Sequence, residues 1–328
     1  MSTELESNRV SASANVRGRP WFAFKSDGGT QAGIEITDSG VTLAVEVDQG
    51  DGEAALELSS GQCFWLRQQS LPTGAVVGAE VVQAGPVAEA IQAVLESAPV
   101  TVDRCAMAIP AGAAICRLVA LPKGLSEASA EAHITRSTLE LIAQPRAEIA
   151  LDFRPLPPVS ACSTDASRKD QDWLLLAARL DWVQQRQALA QRLGLRLERV
   201  DWSACAQWRA LLGMQGLGER APSQAVLVHW DESGGTLMAI HHGWPVHVEH
   251  RPALSPDALV EWLDTRARTQ PLLRSGLSAG PLWLIGFGRL AAIREALVQR
   301  YGAGVQAPPM SCDLPALAAC GLAMDIGP

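Results

Sequence analysis

The chain has 328 residues, with 27 basic and 35 acidic side chains, a formal charge of −8, and 48% hydrophobic against 19% charged residues. That length suits two domains, and the composition builds packed cores rather than disorder. An acidic chain with scattered positive charge is not a nucleic-acid binder, and its only lysines, Lys25, Lys123 and Lys169, lie outside any phosphate-loop motif, which excludes Walker-type chemistry.

The pattern predicts elements in the following order. Residues 1–29 open with a Ser-, Asn- and Arg-rich stretch without periodicity and are expected to form a flexible tail. Strands are predicted over Gln31–Ile36 and Val41–Val47, joined at Asp38-Ser39-Gly40 by a turn with glycine at a left-handed position, and a third over Gln62–Gln68. Val87, Ala90, Ile91, Val94 and Leu95 give the spacing of an amphipathic helix over Pro86–Glu96, and Arg104–Ile109 reads as a short buried strand.

The middle of the chain reads as a small inserted α/β unit. It has strands at Ile115–Leu121, Glu148–Leu156 and Trp173–Ala178, and a helix from the Ser126 cap to Ile142. A polar loop fills Pro157–Gln171, and a helix capped by Asp181 runs to Leu193 before a strand at Leu195–Val200. The second half repeats the opening: strands at Gln224–Trp230 and Thr236–His241 around a Gly234-Gly235 turn, and a third at Pro245–His250. After these come a helix over Pro256–Thr269, a strand at Leu282–Ile285, and helices at Leu290–Tyr301 and Leu314–Met324.

No apolar run reaches the roughly 18 residues that cross a bilayer, since Met107–Leu121 is broken by Pro110, Gly112 and Arg117. The first residues carry no apolar core of a secretion signal, so a cytoplasmic protein is expected. Seven cysteines without a C-x-x-C pair are expected to be small buried hydrophobes. Trp65, Trp173, Trp230, Trp262 and Trp283 fall inside predicted elements and are expected in the core.

Three motifs bear on chemistry. Gly276-Leu277-Ser278-Ala279-Gly280 matches a hydrolase nucleophile elbow, but a helix precedes it, a strand follows it, and no histidine lies downstream of His250. Gly286-Phe287-Gly288-Arg289-Leu290-Ala291 follows a strand and opens a helix, a glycine turn more than a dinucleotide loop. His241, His242, His247 and His250 crowd one hairpin without a zinc-ligand spacing, so no metal is expected and a solvated or partner-facing edge is.

The element order resembles the PilM family of actin-like type IV pilus assembly proteins. Four stretches in shared sequence order carry the likeness: Gly33-Ile34-Glu35-Ile36, Ala106-Met107-Ala108-Ile109-Pro110, Leu121-Pro122-Lys123-Gly124-Leu125-Ser126, and Leu151-Asp152-Phe153-Arg154-Pro155-Leu156 followed by Leu174-Leu175-Leu176-Ala177-Ala178-Arg179. Ala318-Ala319-Cys320-Gly321-Leu322-Ala323 is similar to that family's last helix.

The resemblance implies an α/β fold of the actin-like, ribonuclease H-like class, two-lobed, with an inserted α/β subdomain in the first lobe. The first lobe would comprise 30–110 and 196–216, the insertion 111–195 and the second lobe 222–328. It implies a non-enzymatic scaffold of type IV pilus assembly whose partners are other pilus assembly proteins and a PilN-like bitopic membrane protein. A groove helped by the insertion would bind that protein's short cytoplasmic tail and so recruit the chain to the inner face of the cytoplasmic membrane. The cytoplasmic domain of type II secretion GspL proteins and the MSHA-pilus protein MshI are similar in architecture and give alternative machines.

By carry-over, the nucleotide cleft would be lined by Glu35, Thr37, Asp38, Ser39 and Thr42 on the first phosphate hairpin. His229, Asp231 and Thr236 fall on the second, and Gly286 and Gly288 on the adenine side. Thr37 stands where the family places a glycine, Thr42 where it places a lysine, and His229 where it places an aspartate. Asp38, Asp231 and Glu232 add carboxylates that repel phosphate. No cofactor is therefore expected, with ATP and magnesium as the alternative in a conformational switch.

Overall fold

The computed structural model describes residues 30–48, 55–57, 61–142, 145–156, 169–217, 222–231, 234–252, 254–286, 290–302, 304–306 and 314–324. The expected tail, most of the expected 157–171 loop, Cys162 and Cys312 lie outside them.

The first sheet begins with β1 (Gln31–Ile36) and β2 (Gly40–Val47), then β3 (Ala55–Glu57) and β4 (Cys63–Ser70). The small hairpin β5 (Val76–Val77) and β6 (Glu80–Val81) leads into α1 (Ala84–Glu96) and β7 (Arg104–Ile109). Burial is two-sided along β1 and β7, in keeping with Ala32, Ile34, Ile36, Cys105, Met107 and Ile109 in near-continuous apolar runs.

From β7 the chain leaves for β8 (Ile115–Pro122), α2 (Glu127–Ile142), β9 (Ile149–Pro155) and β10 (Asp170–Arg179), which form a separate antiparallel sheet in the order β8-β10-β9. It returns through α3 (Leu180–Arg192) to β11 (Arg196–Trp202), parallel to β7, and α4 (Ser203–Met214) follows. The first sheet thus runs β11-β7-β1-β2-β4-β3. Leucine at 180 opens α3, and Asp181 lies in its first turn, where it pairs with Arg179 and accepts from the Trp182 N–H at 2.9 Å, instead of capping the helix as the sequence suggested. Although counted above with the insertion, α3 buries Leu189 and Ala190 with the first-sheet core.

The last part comprises β12 (Gln224–Asp231), β13 (Gly234–His241), β14 (Trp244–Pro252), α5 (Pro256–Thr269), α6 (Pro271–Ala279), β15 (Leu282–Gly286), α7 (Leu290–Tyr301), β16 (Val305–Gln306) and α8 (Leu314–Ala323). Its sheet runs β14-β13-β12-β15-β16. Both large sheets share one topology: an antiparallel three-strand meander, then two strands parallel to the meander's first strand on its other side.

Helix α8 does not stay with the sheet it follows. It crosses to the first sheet, lies on β1, β2 and β7, and packs along α4. Small residues permit this: an added Cβ at Gly33 would stand 1.9 Å from the Ala319 carbonyl oxygen, and one at Gly321 would stand 1.8 Å from that of Ala206. The largest core cluster runs through this layer, from Ala44 and Phe64 through Trp202, Trp208, Ala319 and Cys320 to Val228, Trp283 and Leu297. Strand β10 serves two cores by alternation: Trp173, Leu175 and Ala177 face α2, while Leu174 and Leu176 join the large cluster.

Two turn expectations change. Gly40 is a strand residue of β2, not a left-handed turn residue, and Gly235 lies within β13 instead of in the turn before it. A Cβ on Gly40 would meet the Gln69 carbonyl at 2.8 Å, and one on Gly235 the leucine and tryptophan side chains of α5 and its approach. The G-x-S-x-G match lies in and just after α6, where Gly276 and Gly280 allow the helix to touch the β12 backbone and Ser278 bonds back to the Ser275 carbonyl. The five tryptophans singled out are all buried, as are Cys63, Cys105, Cys205 and Cys320, while Cys116 is partly exposed.

Candidate functional site

Thr37 closes the β1–β2 turn with both its main chain and its side chain. Its N–H donates to the Gly40 carbonyl at 2.9 Å, its Oγ1 donates to the same oxygen at 3.1 Å, and the Gly40 N–H donates to Oγ1 at 3.2 Å. Ser39 Oγ lies 3.1 Å from Thr37 Oγ1, and Asp38 is exposed at the tip. A hairpin that cradles phosphate needs backbone N–H groups aimed outward. Here the Gly40 N–H is already taken by a side chain that a glycine would not have.

Below the tip, Glu35 and Thr42 face each other across β1 and β2, and both are buried. Burial pushes the Glu35 carboxyl up to about 8, against the pull of the Arg186 guanidinium and with a further push from Asp201. Its Oε2 has no hydrogen-bond partner among the described residues. Arg186, on α3, is fully buried and donates to the carbonyls of Ala79, Ala108 and Trp182. Burial lowers it to about 10, which leaves it cationic at neutral pH. To take magnesium as a carboxylate, this group would first have to give up the proton that burial favours, which weakens such binding near neutral pH. Thr42 also lines a hollow of about 400 Å³ with Leu66, Arg67, Gln68 and Ala316, where the first sheet meets the start of α8.

The second group sits on three neighbouring strands. His229 pairs in register with Thr236 on β13 and Ile285 on β15; both His229 and Thr236 are buried, and Thr236 Oγ1 lies 3.0 Å from His250 Nδ1. Gly286 needs to be glycine: its φ is 132°, and a Cβ would stand 1.8 Å from the Trp230 carbonyl oxygen. Asp231 ends β12 opposite Gly234, while its side chain, Glu232 and residues 287–289, Gly288 among them, lie outside the described residues. The structure thus brings Glu35 to Thr42 and His229 to Thr236.

Sequence reasoning missed two features. Asp201, fully buried at the end of β11, pairs with Arg209 at 2.5 Å and Arg199 at 3.7 Å, and both arginines donate to main-chain carbonyls at the end of α8: Arg209 to Gly321, and Arg199 to Leu322 and Met324. Cations at a helix C-terminus complement its dipole and satisfy its last carbonyls. The other lies at the turn from β13 to β14, read above as a solvated or partner-facing edge. His242 there is buried, with Nε2 3.3 Å from Asp172 Oδ2 on β10. Beside it, the Arg154 guanidinium stands 4.2 Å over the Trp244 ring.

Two sheets of one topology, joined by a pair of crossing helices and carrying hairpins at corresponding places, define an actin-like fold with an insertion in its first half. A solved structure of a PilM–PilN type IV pilus biogenesis complex matches with a TM-score of 0.64 at 20% identity, over 89% of this chain and 97% of that one. The cytoplasmic domain of EpsL, an inner membrane component of the type II secretion system of Vibrio cholerae, matches at 10% identity over 89% and 94%, with a TM-score of 0.47. The family model described as type IV pilus assembly protein PilM matches residues 33–229, and the chain belongs to that family.

Proposed function

We propose that this chain is a pilus-assembly scaffold that takes the short cytoplasmic tail of a PilN-like bitopic membrane protein, and that it does so without a working nucleotide site. Family membership and fold likeness to a PilM–PilN complex support the partner. No described helix is long and apolar enough to cross a membrane, so the tail contact is the route by which the chain reaches the inner face of the cytoplasmic membrane in this reading. Other pilus proteins would join through the same assembly. An extended tail adds to a groove or a sheet edge through main-chain hydrogen bonds, with a few side-chain pockets for specificity.

The observation that carries the nucleotide half of the reading is the Thr37 side chain. It occupies the mouth of the first hairpin and consumes the Gly40 N–H, while Glu35 below it is held neutral and Thr42 brings no counter-charge. The lobes then act as fixed surfaces, not as the jaws of a switch. In calorimetry, a synthetic peptide from the N-terminus of the neighbouring PilN-like protein is expected to bind with micromolar or tighter affinity; absence of heat and of any melting shift sinks the partner reading. Millimolar Mg-ATP is expected to leave the melting temperature unchanged, and a clear upward shift restores the ATP switch.

A further inference from the structure

We propose that Asp172, His241 and His242 bind one divalent transition cation, zinc for preference, at the seam between the inserted sheet and the second lobe. One nitrogen from each histidine and a carboxylate oxygen of Asp172 lie within 4.8 Å of one another. This donor set, two imidazoles and a carboxylate, suits zinc and its neighbours and not calcium or magnesium, which take oxygen ligands.

One edge of the site already has the length a tetrahedral ion requires. Two ligands at 2.0–2.1 Å from a tetrahedral ion stand about 3.3–3.4 Å apart, and His242 Nε2 lies 3.3 Å from Asp172 Oδ2. The rings of His241 and His242 meet edge to face at 4.3 Å between centroids, so adjacent residues turn toward a common point. His241 Nδ1 lies 3.3 Å from the Gln224 side-chain amide, and Ser275 Oγ lies 3.0 Å from that amide's oxygen; coordination through Nε2 puts the ring proton on Nδ1 and requires the Gln224 amide to turn its oxygen toward it.

His242 is built for the place. Its side chain is 4% exposed, and its φ of 53° is positive, the one such non-glycine residue among those described. The turn carrying both histidines is pinned by Trp208 Nε1, on α4, donating to the Gly243 carbonyl at 2.9 Å. A cation here joins β10 to the β13–β14 turn, 70 residues away in sequence, and staples the insertion to the second lobe.

The test uses the full chain with no histidine tag, stripped with chelator. Added zinc is expected to raise the melting temperature, and cobalt to give the intense visible bands of a low-symmetry, nitrogen- and oxygen-bound site. Asp172→Asn keeps shape and removes charge, and it is expected to weaken zinc binding about 10–100-fold or more, as is His242→Ala. His247→Ala, a histidine that pairs with Glu249 instead, is expected to bind as wild type. If wild type shows neither the melting shift nor the cobalt bands, the site is not a metal site and His242–Asp172 is only a hydrogen bond across the seam. Equal zinc affinity in wild type and Asp172→Asn overturns the proposal too.

Discussion

A single buried carboxyl gives the first lobe a pH-dependent contribution to its stability. Glu35 has its folded pKa near 8 against 4.5 when exposed, chiefly through burial. Such a group binds a proton on folding, so its favourable state is complete below about pH 4.5 and stability is lost as pH rises toward 8. Glu35→Gln keeps the shape and removes the titration. It is expected to be more stable than wild type by about 1–3 kcal/mol at the upper end of that window and level with it at the lower end. Parallel melting-against-pH curves for the two proteins discount the account. Thr37 gives a second test at this scale. Replacing it by glycine costs the hydrogen bonds it makes to Gly40, about 1 kcal/mol each, but empties the mouth of the hairpin. Combined with Thr42→Lys, it is expected to produce a Mg-ATP-dependent melting shift where none is expected for wild type; no shift in the double variant means that more than this hairpin stands in the way.

At the scale of elements, the crossing helices are where packing is tightest. Gly321→Ala puts a Cβ against the Ala206 carbonyl of α4, and neither partner is a flexible side chain. The expected loss is about 1–3 kcal/mol or more in denaturant unfolding, while Gly112→Ala, with nothing near its added Cβ, is expected to be neutral. The same helices show what the sequence made legible. Meanders with alternating apolar residues and helices with one apolar stripe, such as α1, could be read directly, because local periodicity reports a single buried face. Helix α4 could not be: Ala204, Cys205, Ala206, Gln207, Trp208, Ala210 and Leu211 are all buried, which leaves no polar face to give a period. The candidate nucleotide positions could be found as positions on hairpins, from order and resemblance, but not their state. That Thr37 fills its own turn depends on hydrogen bonds made only in the folded hairpin, and that the Glu35 pKa is raised depends on burial by elements distant in sequence, against the pull of Arg186. Asp172 meeting His242 is a contact across 70 residues, for which no local spacing exists.

At the scale of the molecule, strand β10 decides how far the insertion is coupled to the rest. Its odd-numbered residues Trp173, Leu175 and Ala177 belong to the insertion's own core with Ile134 and Ile149, while Leu174 and Leu176 share a cluster with Trp202, Trp208 and the second sheet. One strand therefore holds two cores back to back, and truncations one residue apart are expected to act on different bodies. Either Leu174→Ala or Leu175→Ala removes a fully buried side chain and costs about 2–5 kcal/mol. In native-state hydrogen exchange, Leu175→Ala is expected to speed opening of β8, β9 and α2 and leave β12 and β13 protected. Leu174→Ala is expected to lower protection in β13 and β14 as well, because its cavity opens into the core they share. If both variants loosen the same segments to the same extent, the two faces of β10 do not divide the molecule and the insertion is part of one cooperative unit. If they separate, a partner seated on the insertion is felt in the second lobe through shared contacts such as Leu174, Leu176, the Arg154–Trp244 pair and the seam that Asp172 and His242 close.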